Sequence, residues 1–265
     1  MTTPLPQLEQ DRLICEHISV SRRQTWGECQ QKYKYRYHQK LIPEGPVQPY
    51  FVYGKVVHKI AEIYVQEQGK KAIESITSDV LKGKIETEPG AGVPFLEPDY
   101  KKKLPKHVQN LKDLTDKIGY DGYLEWKFHY DLQPPDEHFV TGFIDRLIVR
   151  GEKYFILDYK TTKKGMWRKT RSTIRNDLQL RCYARVVQKE FGAKPENIRA
   201  ALFYLDGADL IDTRFDEQSL ISAEQELHDA YNEIVGTHPN DVYGRVSDQC
   251  RRCDYRAICP FYSLT

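Results

Sequence analysis

The sequence predicts an α/β fold, a small mixed β-sheet with helices on both faces. Three observations carry this. The segments run as helices, strands, helix, strands, helix and a cysteine-rich tail, an interleaving that belongs to layered α/β domains. The stretch GFIDRLIVRGEKYFILDYKTT (142–162) holds two runs rich in Val, Ile, Leu, Phe and Tyr, which suit strands. The residues flanking the charged positions in those runs are apolar on both sides, as expected of a covered sheet.

Composition sets the bounds. The chain has 265 residues, 29% of them charged, and a net charge of only +2, which suits a folded, water-soluble protein. One domain over 1–265 is expected. No run approaches the roughly 18 apolar residues that a membrane helix needs. The opening MTTPLPQLEQDRLICEH lacks a basic n-region and an apolar h-region, so no signal peptide is expected. The expected compartment is the cytoplasm of a bacterial, archaeal or phage-infected cell. Thiols stay reduced there, so the six cysteines need another explanation than disulfides.

Residues 19–41 are expected to be helical from about Ser21, a candidate N-cap. Trp26, Cys29 or Gln30, Tyr33 and Tyr37 recur on one face, and Lys32, Lys34, Arg36 and Lys40 interleave with them. A second helix is expected through GKVVHKIAEIYVQEQG, with Gly54 near its start and Gly69 near its end. His58 lies close to its apolar side. Residues 83–106 hold four prolines and three glycines, the mark of a long loop or flap. A polar helix to about Ile118 follows, and 83–118 is treated as an insertion. GYLEWKFHYDL (122–132) is a strand ended by Pro134-Pro135. A helix opens at Asn176 or Asp177 and stops at Gly192, with Gln179 and Tyr183 one turn apart on one face. A strand pair with Asp206-Gly207 at its turn comes next. A helix from about Gln218 to Val235 is ended by Gly236 and Pro239.

The hairpin at 142–162 raises a chemical question. Gly151-Glu152 suits a type II′ two-residue turn. Arg150 then faces Lys153, and counting back sets Asp145 opposite Asp158, with Cβ atoms roughly 5 Å apart. Lys160 points to the same side as Asp158. Two carboxylates so close repel unless a proton or cation lies between them, and a divalent metal fits. The alternative is a solvated face on which the acids pair with Lys160 or Arg146. Tyr159–Asn176 carries seven basic residues (Lys160, Lys163, Lys164, Arg168, Lys169, Arg171, Arg175), no acid, and Trp167. Such a run suits backbone phosphates, though a solvated basic loop would read the same way.

The tail CRRCDYRAICP places Cys250, Cys253 and Cys259 at CxxC-x5-C spacing. A complete thiolate site takes four, and Cys15, Cys29 and Cys182 are the candidates for the fourth. Cys29 sits among polar residues on the basic-aromatic helix, Cys182 sits mid-helix among apolar ones, and Cys15 is ambiguous. Spacing alone leaves zinc and iron–sulfur both open, and a structural role is favoured over electron transfer.

Together these pieces resemble the PD-(D/E)XK nuclease superfamily, in its RecB-like branch with an iron–sulfur staple, similar to AddB nuclease domains and CRISPR-adaptation iron–sulfur nucleases. WGECQQKYKYRY looks like the opening helix with the lone cluster cysteine. GKVVH looks like the GxxxH motif, GFIDR and ILDYKT like the Asp and (D/E)xK motifs, and QLRCY like QxxxY. Ile144 stands where the superfamily's name has proline, and the second acid is Asp158 rather than Glu. The resemblance implies a restriction-endonuclease-like core over 122–215, with a cluster-binding tail at 245–265 joined to Cys29 of the 19–41 helix. His58, Asp145, Asp158 and the carbonyl of Tyr159 would hold Mg²⁺ or Mn²⁺, with Mn²⁺ better suited to a histidine ligand. Lys160 would orient the water or stabilise the phosphorane. Gln179 and Tyr183 would contact nucleic acid, with Lys163, Lys164, Arg168, Lys169 and Arg171 on the phosphates, and Glu125 would support the site. Cys29, Cys250, Cys253 and Cys259 would bind a structural [4Fe–4S] cluster. The implied activity is a DNA exonuclease acting on ends, in recombination, repair, phage replication or CRISPR adaptation, with a helicase or a CRISPR or recombination protein as partner. A non-catalytic DNA-binding or assembly subunit on the same fold is the alternative, and a zinc centre is the alternative to the cluster.

Overall fold

The computed structural model describes residues 12–43, 47–133, 136–162, 165 and 168–262, with backbone alone at 133 and 136–138. The first eleven residues, Pro134-Pro135, Lys163, Lys164 and Trp167 lie outside these. The fold is α/β, with a five-stranded sheet in the order β1-β2-β3-β4-β5: β1 Tyr123–Gln133, β2 Asp136–Arg150, β3 Lys153–Lys160, β4 Ile198–Tyr204 and β5 Asp209–Thr213. β3 pairs antiparallel with β2 and parallel with β4, and β4 pairs antiparallel with β5. The sheet is therefore mixed, as expected. The parallel step needs a crossover, and the segment holding the helix α6 (Leu178–Phe191) supplies it.

Contacts gather in two compact units. The larger comprises Val47–Lys127 and Phe143–Leu220. Its helices α3 (Pro49–Gln66), α4 (Ile73–Leu81) and α5 (Pro98–Ile118) pack a continuous core onto one sheet face. Val57, Ile60, Ile76, Val80 and Leu111 meet Leu157, Tyr159, Ala201 and Phe203 there. On α3 the apolar positions recur at helical spacing, so one stripe is buried. The helix begins at Pro49, ahead of the GKVVH segment, because proline suits a first helical position. Gly54 is thus interior. α4 has no counterpart among the expected elements. α5 starts at Pro98, inside the expected loop, and accommodates Pro105 within it. Leu104, Val108, Leu111 and Leu114 anchor its inner stripe. α6 contacts β3 and β4, and its ends follow expectation: the Asp177 side chain accepts from Leu180 N, and Gly192 is left-handed.

The smaller unit comprises residues up to Pro46, Phe128–Gly142 and Ile221–Thr265. It holds α1 (Val20–Glu28), α2 (Gln30–Tyr33), a π-turn over Lys34–His38, and most of α7 (Glu217–Gly236). The cap of α1 is Ser19, whose side chain accepts from Arg22 N at 3.2 Å, not Ser21. The helix does not run unbroken to residue 41, because Cys29 adopts extended backbone (φ −165°) between α1 and α2. Among the described residues no helix is long and apolar enough to cross a membrane.

Candidate active site

The hairpin register follows the turn. Gly151 has φ +60°, which the first central position of a II′ turn requires. Arg150 opposes Lys153 and Arg146 opposes Leu157. One step further the ladder gives way. The Asp145 carboxylate, through Oδ2, accepts from Tyr159 N at 2.7 Å, so a side chain replaces a backbone acceptor. That same Tyr159 presents its carbonyl to His58 Nε2 at 3.1 Å. α3 thus sets His58 over the end of the hairpin, with Nδ1 at 3.5 Å from Asp145 Oδ1 and 3.8 Å from Glu125 Oε1. The ligand atoms of His58, Glu125 and Asp145 all lie within 4.8 Å of one another.

Asp158 takes the other side. Its carboxylate pairs with Lys160 Nζ at 2.8 Å. Lys160 also donates to Gln179 Oε1 at 3.0 Å, and Gln179 Nε2 donates to Tyr183 Oη at 2.7 Å. Gln179 and Tyr183 stand one turn apart on α6, so the helix fixes the lysine through an amide bridge. Tyr183 itself is buried, at 6% exposure. Arg146 faces away from the acids and donates to the carbonyls of Gly119 and Asp121. Asp158 is not solvated, being only 2% exposed, and the Asp145 side chain is 10% exposed.

Electrostatics follow from burial. Asp158 is pushed up to about 6, chiefly by desolvation, with the Asp145 charge adding to the rise and Lys160 opposing it. Asp145 is desolvated too but falls below the ordinary carboxylate range, because the nearby His58 charge and the Tyr159 N–H outweigh burial. For His58 burial acts downward, yet the Asp145 charge, the close approach of the Asp145 and Glu125 carboxylates and the Asp158 charge lift it well above its usual value. Lys160 rises too, since the Asp158 charge overcomes desolvation. Buried carboxylates therefore converge on positions that call for cations. A histidine nitrogen, carboxylates and a backbone carbonyl form a donor set suited to a hard or borderline divalent ion.

Glu125 was expected only to support the site, yet it joins the tightest ligand group. Its backbone has φ +42°, uncommon for a residue with a side chain. The strand pattern YLEWKFH gave no signal of that turn. Of the basic run, Arg168 is taken up by the fold: its guanidinium lies 4.1 Å from the Tyr204 ring centroid and pairs with Asp209 at 2.9 Å. Lys169 reaches Asp177 at 3.8 Å with a half-exposed side chain, and Arg171 is exposed.

In the smaller unit, Cys29, Cys250, Cys253 and Cys259 line one cavity, with Lys32, Arg245 and Arg256 around them. Tyr35 Oη donates to Ile258 O at 3.0 Å, and Tyr255 Oη to Leu41 O at 3.2 Å, tying helix to tail. Cys15 and Cys182 are buried elsewhere, at 6% and 3% exposure. None of the six cysteines forms a disulfide. Among the described residues, no three of their sulfurs lie within 4.8 Å of one another.

An α/β core that brings paired acids and a lysine together at the end of a β-hairpin, under a helix histidine, defines a nuclease-type site. The PD-(D/E)XK nuclease superfamily model matches residues 17–260, and the chain belongs to that superfamily. Its members typically use divalent metals. A solved structure from Eubacterium rectale, named as a candidate exonuclease, is similar over 89% of this chain and 88% of its own, with a TM-score of 0.53 and 13% identity. A second, SSO0001, covers 87% of this chain and 94% of its own at a TM-score of 0.38 and 16% identity. No curated protein sequence matches this one.

Proposed function

We propose that the protein is a metal-dependent deoxyribonuclease that removes nucleotides from DNA ends, in recombination or repair, phage replication or CRISPR adaptation. The observation that carries this reading is the convergence of His58, Glu125 and Asp145 within 4.8 Å, beside the Asp158–Lys160 pair at 2.8 Å. End-directed rather than internal cleavage takes its cue from the name given to the Eubacterium rectale neighbour. His58, Asp145, Asp158 and the Tyr159 carbonyl, joined by Glu125, would hold Mg²⁺ or Mn²⁺. A bound ion there would acidify a water and neutralise charge on the scissile phosphate. Lys160, raised in pKa, stays protonated, so it cannot serve as a base. It instead holds a fixed positive charge for the oxygen on which charge develops, and Asp158 and Gln179 keep it in place. Lys169 and Arg171 would meet backbone phosphates.

The cysteine cavity is read as a structural [4Fe–4S] site. The support for this reading is the family resemblance together with the four cysteines that line one cavity; a zinc centre is the alternative.

The deciding experiment compares end-labelled linear DNA, single and double stranded, with closed circles in Mn²⁺, Mg²⁺ or EDTA, using wild type and Asp158→Ala. Metal-dependent loss of linear DNA alone, absent in the variant, is expected. Cleavage of circles would replace end-directed with internal cutting. No cleavage by cluster-loaded wild type would favour a non-catalytic DNA-binding subunit.

A further inference from the structure

At the opposite end of β3 from Lys160, a second site lies open. The register puts Ile148 opposite Phe155, and Phe155 beside Arg199 on β4. Lys153 lies two residues before Phe155 and opposite Arg150, so both cations share that face. Leu210 pairs with Phe203, four residues from Arg199, and joins the same face. Arg214 lies one step past the paired Ala200 and Thr213. α5 stops at Ile118 and leaves this end of the face uncovered, with Lys117 in its last turn.

The result is a cavity of about 540 Å³, whose lining includes Lys117, Arg150, Lys153, Arg199 and Arg214. Ile148, Phe155 and Leu210 form its apolar floor, and Glu196 is the acid at its wall. Two of the cations are neutralised within the fold: Arg150 by Asp121 at 2.6 Å and Arg199 by Asp212 at 2.7 Å. Lys117, Lys153 and Arg214 are exposed and make no salt bridge among the described residues. The volume falls within the range of small-molecule sites, which combine an apolar lining with a few placed polar groups.

We infer that this pocket binds a nucleoside phosphate, with phosphate oxygens on Lys117, Lys153 and Arg214 and the base against Phe155 and its apolar neighbours. The flat apolar part and the anionic part of such a ligand match the floor and the rim. The unit comes either free or as part of a DNA strand. Neither case depends on catalysis at the other end of β3.

The test is fluorescence anisotropy of N-methylanthraniloyl-dATP in EDTA at low salt, with unlabelled dATP and a dT12 oligonucleotide as competitors. Wild type, Asp158→Ala and the double variant Lys153→Glu/Arg214→Glu are compared, with Lys153→Ala/Arg214→Ala as a milder second variant. Circular dichroism checks their folding. Binding is expected to weaken at least tenfold in the charge-reversed protein, less in the alanine protein, and to persist in Asp158→Ala. Stronger competition by dT12 than by dATP would assign the unit to a strand, and the reverse to a free nucleotide. Unchanged binding in both double variants, loss only in Asp158→Ala, or no binding by wild type would overturn the inference.

Discussion

Replacing Asp158 with Asn should stabilise the metal-free protein while abolishing cleavage. The Asp158 carboxyl is 2% exposed and its pKa rises from an ordinary 3.8 to about 6. Each unit corresponds to about 1.4 kcal/mol. Keeping Asp158 ionised in the folded state thus costs about 3 kcal/mol, an upper value because Asn cannot reproduce every contact. The Lys160 charge already opposes the rise, so losing that ion pair is contained in the figure. The sign follows from the direction of the shift. Below about pH 4 the carboxyl is protonated in both folded and unfolded chains and costs nothing. The penalty grows as pH rises toward 6 and is complete above it. Urea unfolding in EDTA should therefore show Asp158→Asn more stable than wild type by roughly 1–3 kcal/mol at pH 8. The gain should vanish at pH 4. Added Mn²⁺ should stabilise wild type and close the gap. A variant no more stable than wild type at pH 8, or a gain that survives at pH 4, would refute the electrostatic account of this site.

Other perturbations probe separate parts of the argument. Lys160→Ala should lower the cleavage rate by about 10²–10³-fold, the scale for losing one fixed charge-stabilising group, with Mn²⁺ affinity from calorimetry little changed. Gln179→Ala should lower the rate roughly tenfold by loosening Lys160, and an unchanged rate would remove the amide bridge from the mechanism. Gly122→Ala should destabilise by roughly 2–4 kcal/mol, because an added Cβ would lie 2.5 Å from Leu147 O at φ +116°. Denaturant unfolding reads it. Cys250→Ser should lose iron and visible absorbance on anaerobic purification, and a colourless wild type holding one zinc would replace the cluster with a zinc centre.

Some of this was legible in the sequence for identifiable reasons. The II′ turn at Gly151 sets the register of every residue back to Arg146, so counting brings Asp145 and Asp158 to the same end of the hairpin, one step past the last ladder pair. The ends of α6 were legible because Asp177 and Gly192 are local signals with local geometry. The four cavity cysteines were anticipated as a set by spacing and family resemblance, although 221 residues separate Cys29 from Cys250, the difference of their numbers. Other features depend on tertiary contacts that no local pattern encodes. The Ser19 cap and Ser21 are both plausible serines two residues apart, and only the start of α1 decides between them. α5 extends back to Pro98 because its inner stripe is buried against the core, which outweighs the loop signal of prolines and glycines. The ladder breaks at Asp145 because its carboxylate captures the Tyr159 N–H, which strand alternation cannot foresee.

Glu125 and Asp158 share a physical feature. Each is held where the fold alone would not favour it, one by a left-handed backbone within a strand and the other by ionisation in a buried setting. Strain of this kind persists when the surroundings enforce it, and it clusters at functional sites. Here the enforcing contacts are identifiable: Tyr159 N fixes Asp145, the Tyr159 carbonyl fixes His58, and Lys160 with Gln179 fixes Asp158. One residue, Tyr159, thus orients two of the side chains proposed to hold the metal through its backbone, while its own ring, 3% exposed, is sunk in the core. Core packing and site geometry therefore meet at this position. Substituting the Tyr159 ring with a smaller side chain should disturb metal affinity as well as stability, even though no atom of that ring needs to touch the ion.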